Sequence, residues 1–391
     1  MKPKGFKFSV AQAGIKYKGR TDMALIYSAR IASAAATFTT NKVKAAPVWR
    51  AMKNIRSGKA RAIVVNAGNA NACTGWQGMR DADEMSRLTA VALDVPDKYV
   101  YSSSTGVIGV KMPMDRVAKG VKDMTSSLGS AGIKDAARAI MTTDTFPKYV
   151  ARKVKVGSAE GVIAGFAKGA GMIAPNMATM LCFLMTDIAV EPRALKAALR
   201  DAVERSFNRV TIDGDRSTND TALIMANGAI GNKPIGVGSS RYKTFAHALE
   251  EVTYELSKMI ASDGEGATKL IEVEVKGASS VAEAKRGALR VANSMLVKTA
   301  IYGNDPNWGR IMAAIGSSGI EVKEEKTDVF LGGVGVFLRG HVTGAENEAR
   351  RKLKKKEVKI TIDLHLGRGK ATVLTCDLTE GYIKENAEYT S

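Results

Sequence analysis

Histidine and cysteine are both scarce in this chain, and the scarcity narrows its chemistry. Among 391 residues there are three histidines, His247, His341 and His365, and three cysteines, Cys73, Cys182 and Cys376. The cysteines are widely separated and odd in number, so they supply neither a disulfide framework nor a spaced metal site. No histidine has metal-ligand spacing, and none lies in a turn of glycines and small polar residues, so a Ser-His-Asp triad or a zinc centre is poorly supplied. No metal is expected. Long hydrophobic runs are missing too: nothing approaches the roughly 20 apolar residues of a membrane span. No apolar segment follows the early lysines, so no secretory signal is read and a cytoplasmic location is expected. Aromatics make up 6% of the residues, and none interleave with the basic cluster Arg350, Arg351, Lys352, Lys354, Lys355, Lys356. The formal charge of +19 therefore reads as a solvated lysine-rich surface able to attract anionic substrates, without a nucleic-acid motif. No nucleic acid and no membrane are expected as partners.

The remaining sequence alternates between strand-like and helical segments. Ala62–Val65 reads as a short buried strand ending in the turn-rich Asn66–Asn71. Met79, Ala82, Met85, Leu88 and Val91 follow at helical spacing. Tyr99–Tyr101 leads as a strand into Ser102–Gly106, and Gly161–Phe166 suggests a strand packed on both faces. Pro192 starts an amphipathic helix carrying Leu195, Leu199, Ala202 and Val203. A longer helix carries Phe245, Leu249, Val252, Leu256 and Ile260 on one face. Strands follow at Leu270–Val275, around Val329–Leu338, and at Val358–Leu364. The grouping suits a layered α+β architecture better than a doubly wound sheet. Gly277, Ala278, Ser279 and Ser280 interrupt the pattern, which places an expected boundary between a main domain, 1–280, and a smaller α/β domain, 281–391. Gly332–Gly335 lacks dinucleotide-loop spacing and reads as a tight strand turn.

One segment stands apart. In Lys168–Asp187, KGAGMIAPNMATMLCFLMTD, a loop of small residues and proline runs into Ala178–Thr179 and then into the apolar Met180–Met185. A threonine hydroxyl is a weak nucleophile without a base. With histidine scarce, cleavage of the Ala178–Thr179 peptide would supply one, because Thr179 would gain an α-amino group of pKa about 7.7–8.0 within reach of its own hydroxyl. The ordinary alternative is a β-branched strand threonine.

The blocks VNAGNANACTG (Val65–Gly75), SSTGVIG (Ser103–Gly109), MTTDTFPK (Met141–Lys148), KGAGMIAPNMATML (Lys168–Leu181), DGEGATK (Asp263–Lys269), YGNDPNWGRI (Tyr302–Ile311) and ENAEYTS (Glu385–Ser391) decide between them. In this order the chain resembles the ornithine acetyltransferase (glutamate N-acetyltransferase) family of arginine biosynthesis over its whole length. The resemblance implies a layered αββα-type sandwich of the self-processing N-terminal-nucleophile kind, with the C-terminal tail returning to the active site. It implies cleavage at Ala178–Thr179 into α (1–178) and β (179–391) chains, assembled as α2β2. It makes Thr179 the nucleophile and Thr105 with Gly106 the oxyanion hole. The implied substrate contacts are Thr145 (in the cluster Thr142–Thr145), Lys168, Thr179, Glu265, Asn386 and Ser391. The implied substrates are N-acetyl-L-ornithine and L-glutamate, with no cofactor and with acetyl-CoA open as a co-substrate. A self-processing aminopeptidase or amidase of related fold is the alternative reading.

Overall fold

The computed structural model describes residues 1–16, 18–174 and 180–388. The chain opens with β1 (Phe6–Ala11) and β2 (Met23–Phe38). Helix α1 (Ala46–Asn54) holds Pro47 in its first turn, where the missing N–H has no helical partner to lose. Next come β3 (Lys59–Asn69), α2 (Gly75–Leu93), β4 (Val100–Val107), α3 (Met114–Ser126) and α4 (Ile133–Ala139). The hairpin β5 (Lys148–Val156) and β6 (Ala159–Lys168) precedes β7 (Leu181–Thr186). Then follow α5 (Pro192–Arg205), β8 (Thr221–Ala226) and α6 (Ser240–Ser262), the last capped by the Ser239 hydroxyl accepting the Tyr242 N–H.

The strands run in the order β4-β3-β2-β8-β7-β6-β5, with β1 added on β2. What makes this one sheet into two layers is β2, a 16-residue strand that the sequence pattern did not announce. Met23–Tyr27 pairs with β3, Ser33–Phe38 pairs with β8, and the register shifts between Tyr27 and Ala32. The residues between, Ala29, Arg30 and Ile31, are exposed. The halves on either side turn their apolar faces to one core, where Phe6, Phe8, Ile26, Ile63 and Tyr101 meet Phe166, Phe183, Leu223 and Met225. Phe166 and Phe183 sit with ring centroids 5.5 Å apart, tilted by 50°, a geometry that suits the aromatic quadrupole. Strand alternation sends β7's Cys182 and Leu184 the other way, against Leu195 and Leu199 of α5 and Leu249 and Leu256 of α6. On the opposite outer face Ala62 and Val64 pack on Met85 of α2 and Val117 and Val121 of α3. The layering is αββα, as the resemblance implied. Burying one such aromatic or aliphatic side chain stabilises by about 1.5–3 kcal/mol, so the folded-over β2 is held by its sandwiched core.

Folding β2 at its middle brings its two ends to one edge. Met23 lies opposite Asn66 near the end of β3, and Phe38 lies opposite Thr221 at the start of β8. Because β3 and β4 are parallel, and β7 and β8 are parallel, the C-terminal ends of the first pair face the N-terminal ends of the second. Asn219 ties them together, its Nδ2 donating to the carbonyls of Ala70 (2.6 Å) and Ser104 (2.8 Å).

The second sheet begins with β9 (Leu270–Ala278). It continues through α7 (Val281–Ala292), α8 (Met295–Tyr302), α9 (Trp308–Gly316), β10 (Asp328–Leu331), β11 (Val334–Leu338) and β12 (His341–Val342). It closes with α10 (Glu346–Leu353), β13 (Glu357–Asp363) and β14 (Gly369–Cys376), ahead of α11 (Glu380–Glu388). Its strand order is β12-β11-β10-β13-β9-β14, so β9 is flanked on both sides by strands that come later in the chain. The interruption at 277–280 is accordingly a strand-to-helix junction inside this unit: Ser280 caps α7 by accepting the Glu283 N–H. The turn-rich Asn66–Asn69 also belongs to strand, since β3 runs to Asn69 with the Asn66 side chain paired to the Asn69 carbonyl and the Ser104 hydroxyl. No helix among the described residues is long and apolar enough to cross a membrane.

Candidate active site

A cleft of about 180 Å³ opens at the edge where the strand ends meet. One wall is the end of β4, with Thr105 and Gly106. Thr105 is buried, and Gly106 has φ +132°. A Cβ built on Gly106 would lie 2.3 Å from the carbonyl carbon of Gly68 and 2.5 Å from the Asn69 nitrogen. The backbones of β3 and β4 therefore approach too closely for any side chain here. The opposite wall is the turn after β6, with Lys168, Gly171 and Met172. Glu265, just after α6, and Asn386, on the solvent-exposed α11, complete it. Asn386 Nδ2 donates to Glu265 Oε2 over 2.9 Å, and the Glu265 N–H donates to the Ala170 carbonyl over 2.9 Å. Gly171 matters by its lack of a side chain: an added Cβ would stand 2.2–2.3 Å from the Glu265 carboxylate.

Among the described residues the cleft thus holds one buried cation and one anion. Lys168 is 3% exposed; burial holds its pKa below the ordinary lysine value, with the Asp144 charge acting against that. Behind it, Asp144 Oδ1 accepts from Lys148 Nζ (2.6 Å) and from the Gly169 N–H (2.7 Å), and its Oδ2 accepts from the Thr142 N–H (3.1 Å). Burial pushes the Asp144 carboxyl up, but Lys148 and Lys168 outweigh it and bring it to about 2.

Of the threonine cluster, Thr142 and Thr143 line the cleft. Thr145 is turned to Asp263, which accepts both its backbone N–H (3.0 Å) and its hydroxyl. Thr105, Gly106, Lys168, Glu265 and Asn386 are brought together in one cleft. Ala178, Thr179 and Ser391 lie outside the described residues. Ahead of residue 175, Asp213 accepts the N–H groups of Met172 (2.5 Å) and Ile173 (2.9 Å), and Met172 has φ +57°. Burial raises the Asp213 pKa to about 6, although N–H donation from Asp215 and Met172 pulls it down. After residue 179, fully buried Asp220 accepts the Met180 N–H through Oδ1 (3.0 Å), and burial pushes its pKa well above the carboxylate range.

Several residues here went unread in the sequence. Ser217, Thr218 and Asn219 line the cleft, and a signal for them existed. They form a polar run directly ahead of an apolar strand, the arrangement that drew attention to Thr179. Since β7 and β8 are parallel neighbours with Leu181 opposite Thr221, both strands start at the same edge. His247, on α6, and His341, in β12, are exposed, and His365 Nε2 sits 2.7 Å from Asp328 Oδ2 in the second unit.

Comparison with known proteins agrees with this fold. The model of the ArgJ family matches residues 7–391. The arginine biosynthesis bifunctional protein ArgJ of Geobacter sulfurreducens is 54% identical over 391 residues, covering 100% of both chains. The protein of the same name from Symbiobacterium thermophilum is 50% identical, covering 99% of this chain and 97% of its own. The crystal structure of the Bacillus halodurans arginine biosynthesis bifunctional protein ArgJ matches with 44% identity and a TM-score of 0.52, over 53% of this chain and 98% of the crystal chain. A family match over residues 7–391, with relatives about half identical along their whole length, shows that the chain belongs to the ArgJ family of ornithine acetyltransferases of arginine biosynthesis.

Proposed function

We propose that the chain cleaves itself at Ala178–Thr179 and then uses Thr179 to carry an acetyl group from N-acetyl-L-ornithine to L-glutamate. The observation that carries this reading is the single cleft holding Thr105, Gly106, Lys168, Glu265 and Asn386, drawn from blocks scattered along the chain. In maturation the Thr179 hydroxyl attacks the Ala178 carbonyl carbon, the peptide C–N bond breaks, and water hydrolyses the resulting ester. The Thr179 amine so freed is the base for later turnovers.

In each turnover the amine takes the hydroxyl proton and the oxygen attacks the acetyl carbonyl. Backbone donors at Thr105–Gly106 stabilise the oxyanion, an effect of roughly 2.7–4 kcal/mol for one well-placed donor. The amide C–N bond then breaks and ornithine leaves with a proton on its α-nitrogen. Glutamate's amine attacks the acetyl-threonine ester, giving N-acetylglutamate and the free hydroxyl in a ping-pong cycle. Lys168 suits a substrate carboxylate, and Glu265 suits the distal ammonium of ornithine. Thr142 and Thr143, with their place on the cleft wall, are the substrate-facing members of the threonine cluster.

The relatives carry the word bifunctional in their names, which supports acetyl-CoA as a second donor to the same threonine. The crystal chain that matches about half of this one while being itself nearly fully covered supports a cut polypeptide. An α2β2 assembly in the cytoplasm completes the reading. The test is intact mass under denaturing conditions with N-terminal sequencing, alongside acetyl transfer from N-acetylornithine to glutamate. An uncut active chain, or acetyl release to water at the transfer rate, would refute it; the latter would favour an amidase.

A further inference from the structure

We infer that the buried Asp144–Lys148–Asp263 bridge sets the distance between Lys168 and Glu265, making Lys148 a positioning residue for substrate length. The inference rests on the proposed function, since it takes the ligand to be an amino acid held at both charged ends.

None of the three residues lines the cleft, yet each end of the bridge is fixed beside a different charged residue of it. Asp144 accepts the N–H of Gly169, the residue after Lys168, and the N–H of Thr142 on the cleft wall. Asp263 sits at the end of α6, two residues before Glu265, and accepts the Thr145 N–H and hydroxyl. Lys148, the first residue of β5, joins the two, its Nζ donating to Asp144 (2.6 Å) and to Asp263. Lys148 is 0% exposed, and the two carboxylates are almost as deeply buried.

Three charges in a core are an uneconomical way to hold a fold, because apolar residues of equal volume often serve as well or better. What charges supply is fixed geometry: a cation between two carboxylates admits few arrangements, with Asp144 tied to the backbone N–H of Thr142 on the cleft wall and Asp263 to that of Thr145. The backbone pairing of Glu265 with Ala170 cannot alone fix that spacing, because both partners lie in turns. The bridge anchors those turns to β5 and to α6.

A bridge that sets spacing should govern chain-length selectivity. The experiment measures kcat and KM of the processed enzyme for N-acetylornithine and for its homologues one methylene shorter (N-acetyl-diaminobutyrate) and longer (Nα-acetyl-lysine). In Lys148→Met, a neutral side chain of similar length, the preference for ornithine over each homologue should fall at least tenfold, with KM moving more than kcat. Asp263→Asn, which keeps the shape and removes one charge, should shift selectivity the same way and serves where Lys148→Met does not fold. A thermal shift with the selectivity ratio unchanged in whichever variant folds overturns the inference and leaves a purely structural bridge. Failure of the wild-type enzyme to transfer acetyl from N-acetylornithine would instead overturn the underlying functional reading.

Discussion

Gly171→Ala separates recognition from folding unusually well. The backbone of Gly171 is not in the left-handed region, so alanine adds no conformational strain, and by restricting the unfolded chain it favours the fold by about 0.4–1 kcal/mol. The new Cβ would however lie 2.2 Å from Glu265 Oε2 and 2.3 Å from Oε1 and Cδ. Ordinary contact begins near 3.4 Å, so the carboxylate must retreat by about 1 Å. It is the far end of a flexible side chain and can do so. A displacement of that size breaks its hydrogen bond with Asn386 and takes it out of reach of a ligand ammonium. Charged hydrogen bonds contribute about 1.5–3 kcal/mol, which corresponds to roughly 10- to 150-fold in affinity. We expect the melting temperature to hold or rise slightly, with KM for N-acetylornithine raised by that factor. The control is N-acetylnorvaline, which has the same backbone and no distal ammonium, and whose kinetics should change little. A variant that loses both substrates equally, or neither, would show that Glu265 does not read the ammonium.

Thr179→Ala should leave one uncut, inactive chain, and Thr179→Ser should still cleave; two bands from the alanine variant on a denaturing gel would refute self-processing. Gly106→Ala faces immovable backbone at 2.3 Å with φ +132°, so overpacking and strain of about 1–3 kcal/mol each should lower the melting temperature by about 2–7 °C; a soluble, fully active alanine variant would contradict the close approach of β3 and β4. Asp213 gives a pH dependence whose sign is fixed by burial, with Glu265 and Asp215 as acidic neighbours and Cys376 and Tyr382 also close. Its folded pKa, about 6, lies above the ordinary 3.8, so its stabilising contribution is complete below 3.8 and is lost as pH rises to 6, about 3 kcal/mol in all. Asp213→Asn should therefore gain melting temperature relative to wild type between pH 4 and pH 7; a pH-independent difference would show that Asp213 does not titrate there.

How much of this could be read beforehand depends on the range of the interaction. β7, α5 and α6 were visible because their patterns are local: an apolar run, a proline at a helix start, and one apolar face on a long helix. β2 was missed because small residues such as Ala32, Ala34 and Ala35 dilute its pattern and its two halves bury faces against different neighbours. The interruption at 277–280, from which a boundary was expected, shows the same dependence on long-range pairing. Glycine and serine mark the end of β9 and the cap of α7 as readily as a linker, and only the pairing of β9 with β13 and β14 tells the two apart.

The cleft divides in the same way. Thr105, Lys168 and Glu265 were reached through blocks that resemble a family; Asp144, Lys148 and Asp263 stand in two of the same blocks, but nothing in those blocks shows that the three pair with one another. Lys148 closes the block Met141–Lys148 beside Pro147, and it is fully buried. Its burial is tolerable only because Asp144, four residues before it, and Asp263, on another element, converge on the same ammonium. A lysine four residues from an aspartate is ordinary on any exposed helix. The information that makes this one different is the fold of β2, which brings the strand ends to one edge and leaves that edge to be furnished by turns. Turns have few apolar contacts with which to hold a position, so charge must do it. Sites built on strand ends should therefore carry buried ionic bridges one layer behind the ligand, where a single chain's sequence shows only scattered lysines and aspartates.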